Sequence, residues 1–322
     1  MMTRRAFLKA GAFGAGAIIA GGGGWAGFSF TAAMRAAEER ISKGSVIDTA
    51  YGKLEYAEAG TGTPLLMIHG TGGGFDQGLF FCRRLISNGY RVIAPSRFGY
   101  LRSDFPDDPS SENQADALVA LLDHLGIERI PVAGGSAGAL PALAFALRHP
   151  DRCSALIAIV PATFVPGRPA TPGPSGLANF AMGAMLNMDS LYWLALTTMP
   201  NVMIGTMLAT DPALVDAASR EEQARVHTIL TEIFPVSRRS RGLLNDARLA
   251  SNPAPMPMAD IKIPTLAISV EDDRFGTAAA ARHIAAEVEG AKLVIYPSGG
   301  HVWVGHDAEL MGEIHAFVAS LA

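Results

Sequence analysis

The sequence predicts an α/β protein in which a mostly parallel sheet is covered on both faces by helices. Three observations predict it. Short apolar runs alternate with helical patterns from Pro64 onward, a glycine-rich loop follows the first of those runs, and a serine sits where a later run must turn at once into a helix. Parallel strands buried on both faces read as unbroken apolar segments because neither face meets water.

The elements follow in chain order. Gly44 to Gly60 alternates in the manner of two antiparallel edge strands. Pro64-Leu65-Leu66-Met67-Ile68 is a buried strand, Asp76 to Asn88 a helix, Tyr90 to Ala94 a strand and Ser111 to Leu125 a helix. Ile130-Pro131-Val132-Ala133 is the next strand, and Leu140 to Arg148, rich in alanine and leucine, is the helix after it. From about Pro161 to Pro264 the alternation stops. That stretch is helical and rich in methionine, with Pro/Gly-rich edges at Pro166 to Gly176 and Asn252 to Pro257. Two further strands, Thr265 to Val270 and Lys292 to Tyr296, restore the pattern.

Gly134-Gly135-Ser136-Ala137-Gly138 joins the strand at Ile130 to the helix at Leu140. A nucleophile at such an elbow takes up strained backbone angles, so its neighbours must be small, and Gly134, Ala137 and Gly138 meet that demand. The helix behind it directs N–H groups toward the serine, where negative charge on a substrate oxygen would be stabilised. His69-Gly70-Thr71-Gly72-Gly73-Gly74, after the strand at Pro64, suits the other half of an oxyanion hole. The expected donors are the amides of Thr71, or Gly72, and of Ala137. A phosphate loop is the competing reading, but no G-K-[ST] follows and the G-x-G-x-x-G spacing is absent.

Glu271-Asp272-Asp273 and Ser298-Gly299-Gly300-His301 each fall just beyond a strand end. The chain order serine, acid, histidine differs from the chymotrypsin and subtilisin orders. With HGTGGG, GGSAG and GGH, it resembles the α/β-hydrolase fold superfamily from about Val46 to the C-terminus. The resemblance implies an α/β-hydrolase fold with an inserted helical cap, and makes Ser136 the nucleophile, His301 the general base and Asp273 the orienting acid. Many relatives place the acid three residues after a glycine. Aligning Val270 with that glycine selects Asp273, with Asp272 as the alternative, and the proline often found after the acid is missing here. The loop Pro95 to Ser103 also departs, at Ser96 and Leu101, from the family's D-x-x-G-x-G-x-S turn. Some relatives carry the acid after an earlier strand, but Ile159 to Thr163 offers no carboxylate.

The remaining histidines have plainer readings. His69 braces its own turn, and His124, His149, His227, His283 and His315 lie in or beside helices. His306 is close enough in sequence to replace His301, but the two glycines before His301 suit a tight loop that turns its ring back toward Ser136.

With 322 residues, 49% hydrophobic, the chain is long enough to bury a substantial core. A net charge of −4 without a basic, aromatic-studded stripe excludes nucleic acid as the expected partner, leaving a small-molecule substrate. Cys82 and Cys153 form no disulfide framework and read as buried free thiols. No Cys/His spacing suggests zinc, and the chemistry calls for no cofactor.

Thr3-Arg4-Arg5-Ala6-Phe7-Leu8-Lys9, followed by a Gly/Ala-rich uncharged stretch to about Phe30, resembles the twin-arginine export signal of bacteria. The expected organisation is a signal or anchor over residues 1–37, a hydrolase core over 38–160 and 265–322, and a helical cap over 161–264. The expected location is the periplasm or cell envelope, reached through the twin-arginine export machinery, with the N-terminus tethering the protein to the membrane if uncleaved.

The cap expectation also addresses substrate. Met182, Met185, Met188, Tyr192, Trp193, Met199, Met203 and Met207 offer flexible apolar surface, and Met185, Trp193 and Met203 are the candidates for lining a pocket. Ser190 to Thr210 carries no charge, but Pro200-Asn201 breaks the run, so a helix pair is expected rather than a membrane span. Arg238-Arg239-Ser240-Arg241 reads as a solvated helix face. The expected reaction is acyl transfer to water. Carbon–carbon bond hydrolases, aminopeptidases and cofactor-free haloperoxidases use similar triads, and a catalytically silent binding protein on the same fold is the non-enzymatic alternative.

Overall fold

The computed structural model describes residues 27–169, 183 and 186–321. The twin-arginine motif and Met185 lie outside them. The chain divides into two units, with the boundary in the sequence between Ser42 and Lys43. In the first, residues 27–41 are helical, a helix that runs across the expected boundary at 37.

Among the described residues, the second unit carries eight strands: β1 (Ser45–Thr49), β2 (Gly52–Ala59), β3 (Thr63–Ile68), β4 (Tyr90–Pro95), β5 (Ile130–Gly135), β6 (Cys153–Ile159), β7 (Thr265–Val270) and β8 (Lys292–Tyr296). Their order across the sheet is β1-β2-β4-β3-β5-β6-β7-β8. Only β1–β2 and β2–β4 pair antiparallel; the other pairs are parallel. Of the two strands expected at the edge, β2 is therefore interior, flanked by β1 and β4.

The sheet's centre explains its apolar sequence. Leu66 faces Val132 and Met67 faces Ala133 across β3–β5, and Ala133 faces Ile157 across β5–β6. All are sealed from solvent. Each of the larger side chains, Leu66, Met67, Val132 and Ile157, contributes roughly 1.5–3 kcal/mol through burial, which is why these strands tolerate no alternation.

The helices of the core are α1 (Phe75–Phe81), α2 (Arg83–Ser87), α3 (Ser111–His124) and α4 (Ala139–Arg148). Ser110 caps α3 by accepting from the amide of Asn113. The single helix expected over Asp76 to Asn88 is two short ones, separated at Cys82. Its first half is drawn tight against the sheet at Gly78, where a Cβ would lie 2.9 Å from the Ala94 Cβ.

Between β6 and β7 the described residues carry α5 (Asp189–Thr198), α6 (Pro200–Met207), α7 (Pro212–Ala217), α8 (Arg220–Glu232) and α9 (Ser240–Ser251). Met199 and Pro200 break α5 from α6, and among the described residues no helix is long and apolar enough to cross a membrane. Two further helices are α10 (Thr277–Glu287) after β7 and α11 (Asp307–Ala319) after β8. Cys82 and Cys153 are free and buried.

Candidate active site

The carboxyl ends of β3, β5, β7 and β8 converge on one site. At the end of β5, Ser136 has a φ of +51°, a left-handed conformation rare for a residue with a side chain. Its neighbours show why small residues are needed. A Cβ on Gly134 would stand 2.4 Å from the Gly138 carbonyl oxygen, and one on Gly138 would stand 2.4 Å from the carbonyl oxygens of both Ile68 and His69. Glycine at 138 thus lets the loop after β3 close against the elbow. Gly70 completes the approach, since a Cβ there would lie 3.1 Å from that of Ser136. From the far side, the Ala162 amide donates to the Ser136 carbonyl at 3.1 Å.

The loop after β8 brings His301 to Ser136. Gly299 and Gly300 both take positive φ, 137° and 63°, and turn the chain back as their sequence suggested. His301 Nε2 lies 3.0 Å from Ser136 Oγ, and Nδ1 lies 2.8 Å from Asp273 Oδ2. With Nδ1–H donating to the carboxylate, Nε2 is left to accept the serine proton.

Asp273 is held from several sides. Its Oδ1 accepts the Phe275 amide at 2.8 Å, and its Oδ2 also accepts the Thr277 hydroxyl. Burial opposes ionisation of this carboxyl, but attraction to His301 and the hydrogen bonds from His301, Thr277 and Phe275 outweigh it and hold the carboxyl below its ordinary range. Asp272 turns elsewhere, accepting the Gly300 amide at 2.8 Å. His306 also stays apart, stacked on Tyr296 at 4.4 Å and paired with Glu309 at 2.8 Å.

In the loop after β3, the Gly72 amide donates to the Tyr100 hydroxyl at 3.2 Å. The Thr71 amide has no hydrogen-bond partner among the described residues. Of the two alternatives for the first oxyanion donor, Gly72 is thus occupied and Thr71 is open. Ala137 is the second residue of the helical turn that opens on Ser136, where backbone N–H groups have no partner within the helix. His69 braces the turn: Nδ1–H donates to the Gly70 carbonyl at 2.7 Å, and Nε2 accepts the Arg97 amide at 2.9 Å. Burial, reinforced by the Arg97 charge, pushes its pKa well below the ordinary histidine range and keeps it neutral.

The arginine cluster is not wholly the solvated face its sequence predicts. Arg238 and Arg241 are exposed as expected, but Arg239 is 0% exposed. It grips the Asp76 carboxylate at 2.7 Å and donates to the Gly73 carbonyl, a burial made possible by an anionic partner that the local sequence does not reveal.

Several residues about the site were not singled out by the sequence. Phe275, 49% exposed, sets its ring edge-to-face on His301 at 4.8 Å between centroids. Thr210, from the segment between β6 and β7, packs where a Cβ on Gly300 would be, 2.6 Å away. Ile233, after α8, faces Gly72 in the same way at 3.3 Å. The departure at Pro95 to Ser103 was the one available signal for Arg97 and Tyr100. Nothing local marked Asp246, which pairs with both. Of the candidate pocket residues, Met203 is buried in α6 at 4% exposure and Trp193 is half-buried on α5.

The sheet order, the strained serine at the end of β5 and the loops gathered at the carboxyl ends of the strands define a hydrolase built on a doubly covered α/β sheet. The alpha/beta hydrolase fold model matches residues 63–304, and the chain belongs to that family. It is 30% identical over 257 residues to a 2-hydroxy-6-oxononadienedioate/2-hydroxy-6-oxononatrienedioate hydrolase of Paraburkholderia xenovorans, covering 77% of this chain and 84% of that one. Among solved structures, an alpha/beta hydrolase fold protein from Nakamurella multipartita superposes with a TM-score of 0.68 at 24% identity, covering 85% of this chain and 98% of that one. The esterase EaEST from Exiguobacterium antarcticum does so at 0.63 and 20%, covering 86% and 99%.

Proposed function

We propose that this hydrolase cleaves an ester-like or other acyl bond of a small apolar substrate through an acyl-enzyme on Ser136. The hydrogen-bonded series Asp273, His301, Ser136, at 2.8 and 3.0 Å, carries the reading. Ser136 Oγ attacks the carbonyl carbon while His301 Nε2 takes its proton. Asp273 holds the tautomer and balances the imidazolium, and the amides of Thr71 and Ala137 stabilise the oxyanion. His301 then protonates the leaving group, and a water activated by the same imidazole releases the acid.

In this reading residues 161–264 form a cap over the site, supported by the packing of Thr210 against Gly300 and of Ile233 against Gly72. Trp193, Met203 and, outside the described residues, Met185 are proposed to line its apolar side. We also propose export through the twin-arginine route, on the strength of Arg4 and Arg5 before an uncharged segment.

A second reading, hydrolysis of a carbon–carbon bond beside a ketone, is favoured by the dienedioate hydrolase relative. It too begins at a carbonyl. For a dicarboxylate, however, Arg97, Arg239 and Arg274 are already paired with Asp246, Asp76 and Asp211.

The test uses a fluorophosphonate probe and short p-nitrophenyl esters. Wild-type protein should label at Ser136 and hydrolyse the esters, and Ser136→Ala should lose labelling and about 10⁴- to 10⁶-fold in turnover. Full ester turnover by Ser136→Ala, with an unchanged circular dichroism spectrum, would sink the assignment.

A further inference from the structure

The orientation of the Thr71 amide is set by two peptide planes. The first holds the Gly70 carbonyl and the Thr71 N–H, which point in opposite directions across a trans bond. That carbonyl accepts from His69 Nδ1 at 2.7 Å and from the Gly73 amide at 3.2 Å, so the Thr71 N–H is turned away from both. The second plane holds the Thr71 carbonyl and the Gly72 N–H, and its N–H goes to the Tyr100 hydroxyl at 3.2 Å. Gly72, at a φ of +80°, would otherwise be among the freest points of the loop.

Tyr100 is itself fixed. Its ring is fully buried and packs edge-to-face on His69 at 4.7 Å between centroids. Its hydroxyl donates to Asp246 Oδ2 at 2.5 Å, which leaves the phenol oxygen free to accept the Gly72 amide. Asp246 lies on α9, between β6 and β7, and a buried ion pair with Arg97 anchors it. The donor geometry beside Ser136 is therefore held by a carboxylate that the insertion supplies.

We propose that Tyr100 is a positioning residue for the oxyanion hole, fixing the Thr71–Gly72 peptide so that the Thr71 amide stays open to the substrate oxygen at Ser136. The proposal rests on the serine-hydrolase reading above. Burial and the Asp246 charge both push the Tyr100 pKa well above the ordinary phenol range, so the hydroxyl keeps its proton and its role over the working range of pH.

The test is Tyr100→Phe, which keeps the ring and the Arg97–Asp246 pair and removes only the hydroxyl. Rates are expressed per Ser136 that reacts to completion with fluorophosphonate, so misfolded protein does not count. The expected result is a loss of about tenfold in kcat with KM within twofold, less than the loss for deleting a direct oxyanion donor. Affinity for a trifluoromethyl ketone, which forms an oxyanion hemiketal on the serine, should fall by the same factor. An unchanged kcat and ketone affinity per active site would overturn the proposal. So would a fall in thermal stability alone.

Ketone affinity per reacted Ser136 keeps the proposal testable even if little Tyr100→Phe folds, because only the folded fraction forms the hemiketal. If wild-type protein neither labels nor turns over esters, the serine-hydrolase reading itself has failed, and Tyr100 is not at issue.

Discussion

Asp273 and His301 meet at 2.8 Å, and the residue before each makes a parallel contact, Asp272 accepting the Gly300 amide at the same distance. Two adjacent carboxylates thus hold two adjacent residues of one loop, one through the imidazole and the other through the backbone. We expect Asp273→Asn to slow turnover by about 10⁴-fold through loss of the reactive tautomer. Asp272→Asn retains an oxygen acceptor for the Gly300 amide and should cost far less. Steady-state kinetics on a p-nitrophenyl ester decide between them, and the opposite ranking would move the acid to Asp272.

Acid should destabilise the fold through Asp307 as well as Asp273. Burial opposes ionisation of Asp307, but Arg84, Arg225, Arg83 and the Trp303 indole together hold its carboxyl below the ordinary range. A depressed folded-state pKa means that the unfolded chain binds protons first as the pH falls. The stabilisation is then complete above about pH 5, begins to fade near pH 4 and is lost only as the pH falls through the lower, folded-state pKa. Asp307→Asn should lose on the order of 2 kcal/mol at pH 7 and less at pH 3. Urea unfolding at the two pH values measures this, and an equal loss at both would show that the pair's charge is immaterial.

Burial pushes the Cys82 and Cys153 thiols up to about 12. A thiol in that state presents almost no thiolate at pH 8, and neither side chain is open to solvent. Native protein should therefore leave Ellman's reagent uncoloured for hours, whereas protein in guanidinium releases two equivalents. Rapid reaction of the native form would mean that one of the buried segments opens.

An apolar acyl pocket gains about 0.8 kcal/mol for each methylene it buries, or roughly fourfold in kcat/KM per carbon. Across p-nitrophenyl esters from acetate to decanoate, activity should rise and then fall at the pocket's length limit. Phe275, half-exposed beside His301, is the side chain expected to set part of that limit, so Phe275→Ala should move it to longer chains. A flat series in wild type would remove the apolar substrate class.

The export proposal is tested in cells. Replacing Arg4 and Arg5 with lysine keeps the charge of the segment but removes the pair that the twin-arginine receptor reads. Active protein should then be retained in the cytoplasm, and unaltered delivery to the envelope would show that the segment serves another purpose.

Much of the core was legible because its signals are local. The strands β3, β5 and β7 are buried on both faces, so unbroken runs such as Leu65 to Ile68 mark them directly. Gly134 and Gly138 declare the elbow for a similarly local reason: the chain passes its own backbone there with no room for a Cβ. The break at Cys82 and the interior place of β2 were not legible. Periodicity reports which face of a segment is apolar, and not whether a helix is interrupted or which strand it meets.

What the sequence by itself determined is the alternation of most strands with helices, the glycines that permit the serine elbow and the His301 turn, and the serine, acid, histidine order. Only the tertiary structure decided that Asp273 rather than Asp272 reaches the imidazole, that Tyr100 occupies the Gly72 amide, and that Arg239 is buried on Asp76. The difference is one of range. Backbone strain and the apolar runs of the central strands belong to short segments, and the local sequence records them. The partners of Arg97 and Arg239 lie 149 and 163 residues away, and such pairs are chosen only when the closed fold leaves a buried charge one counter-charge within reach.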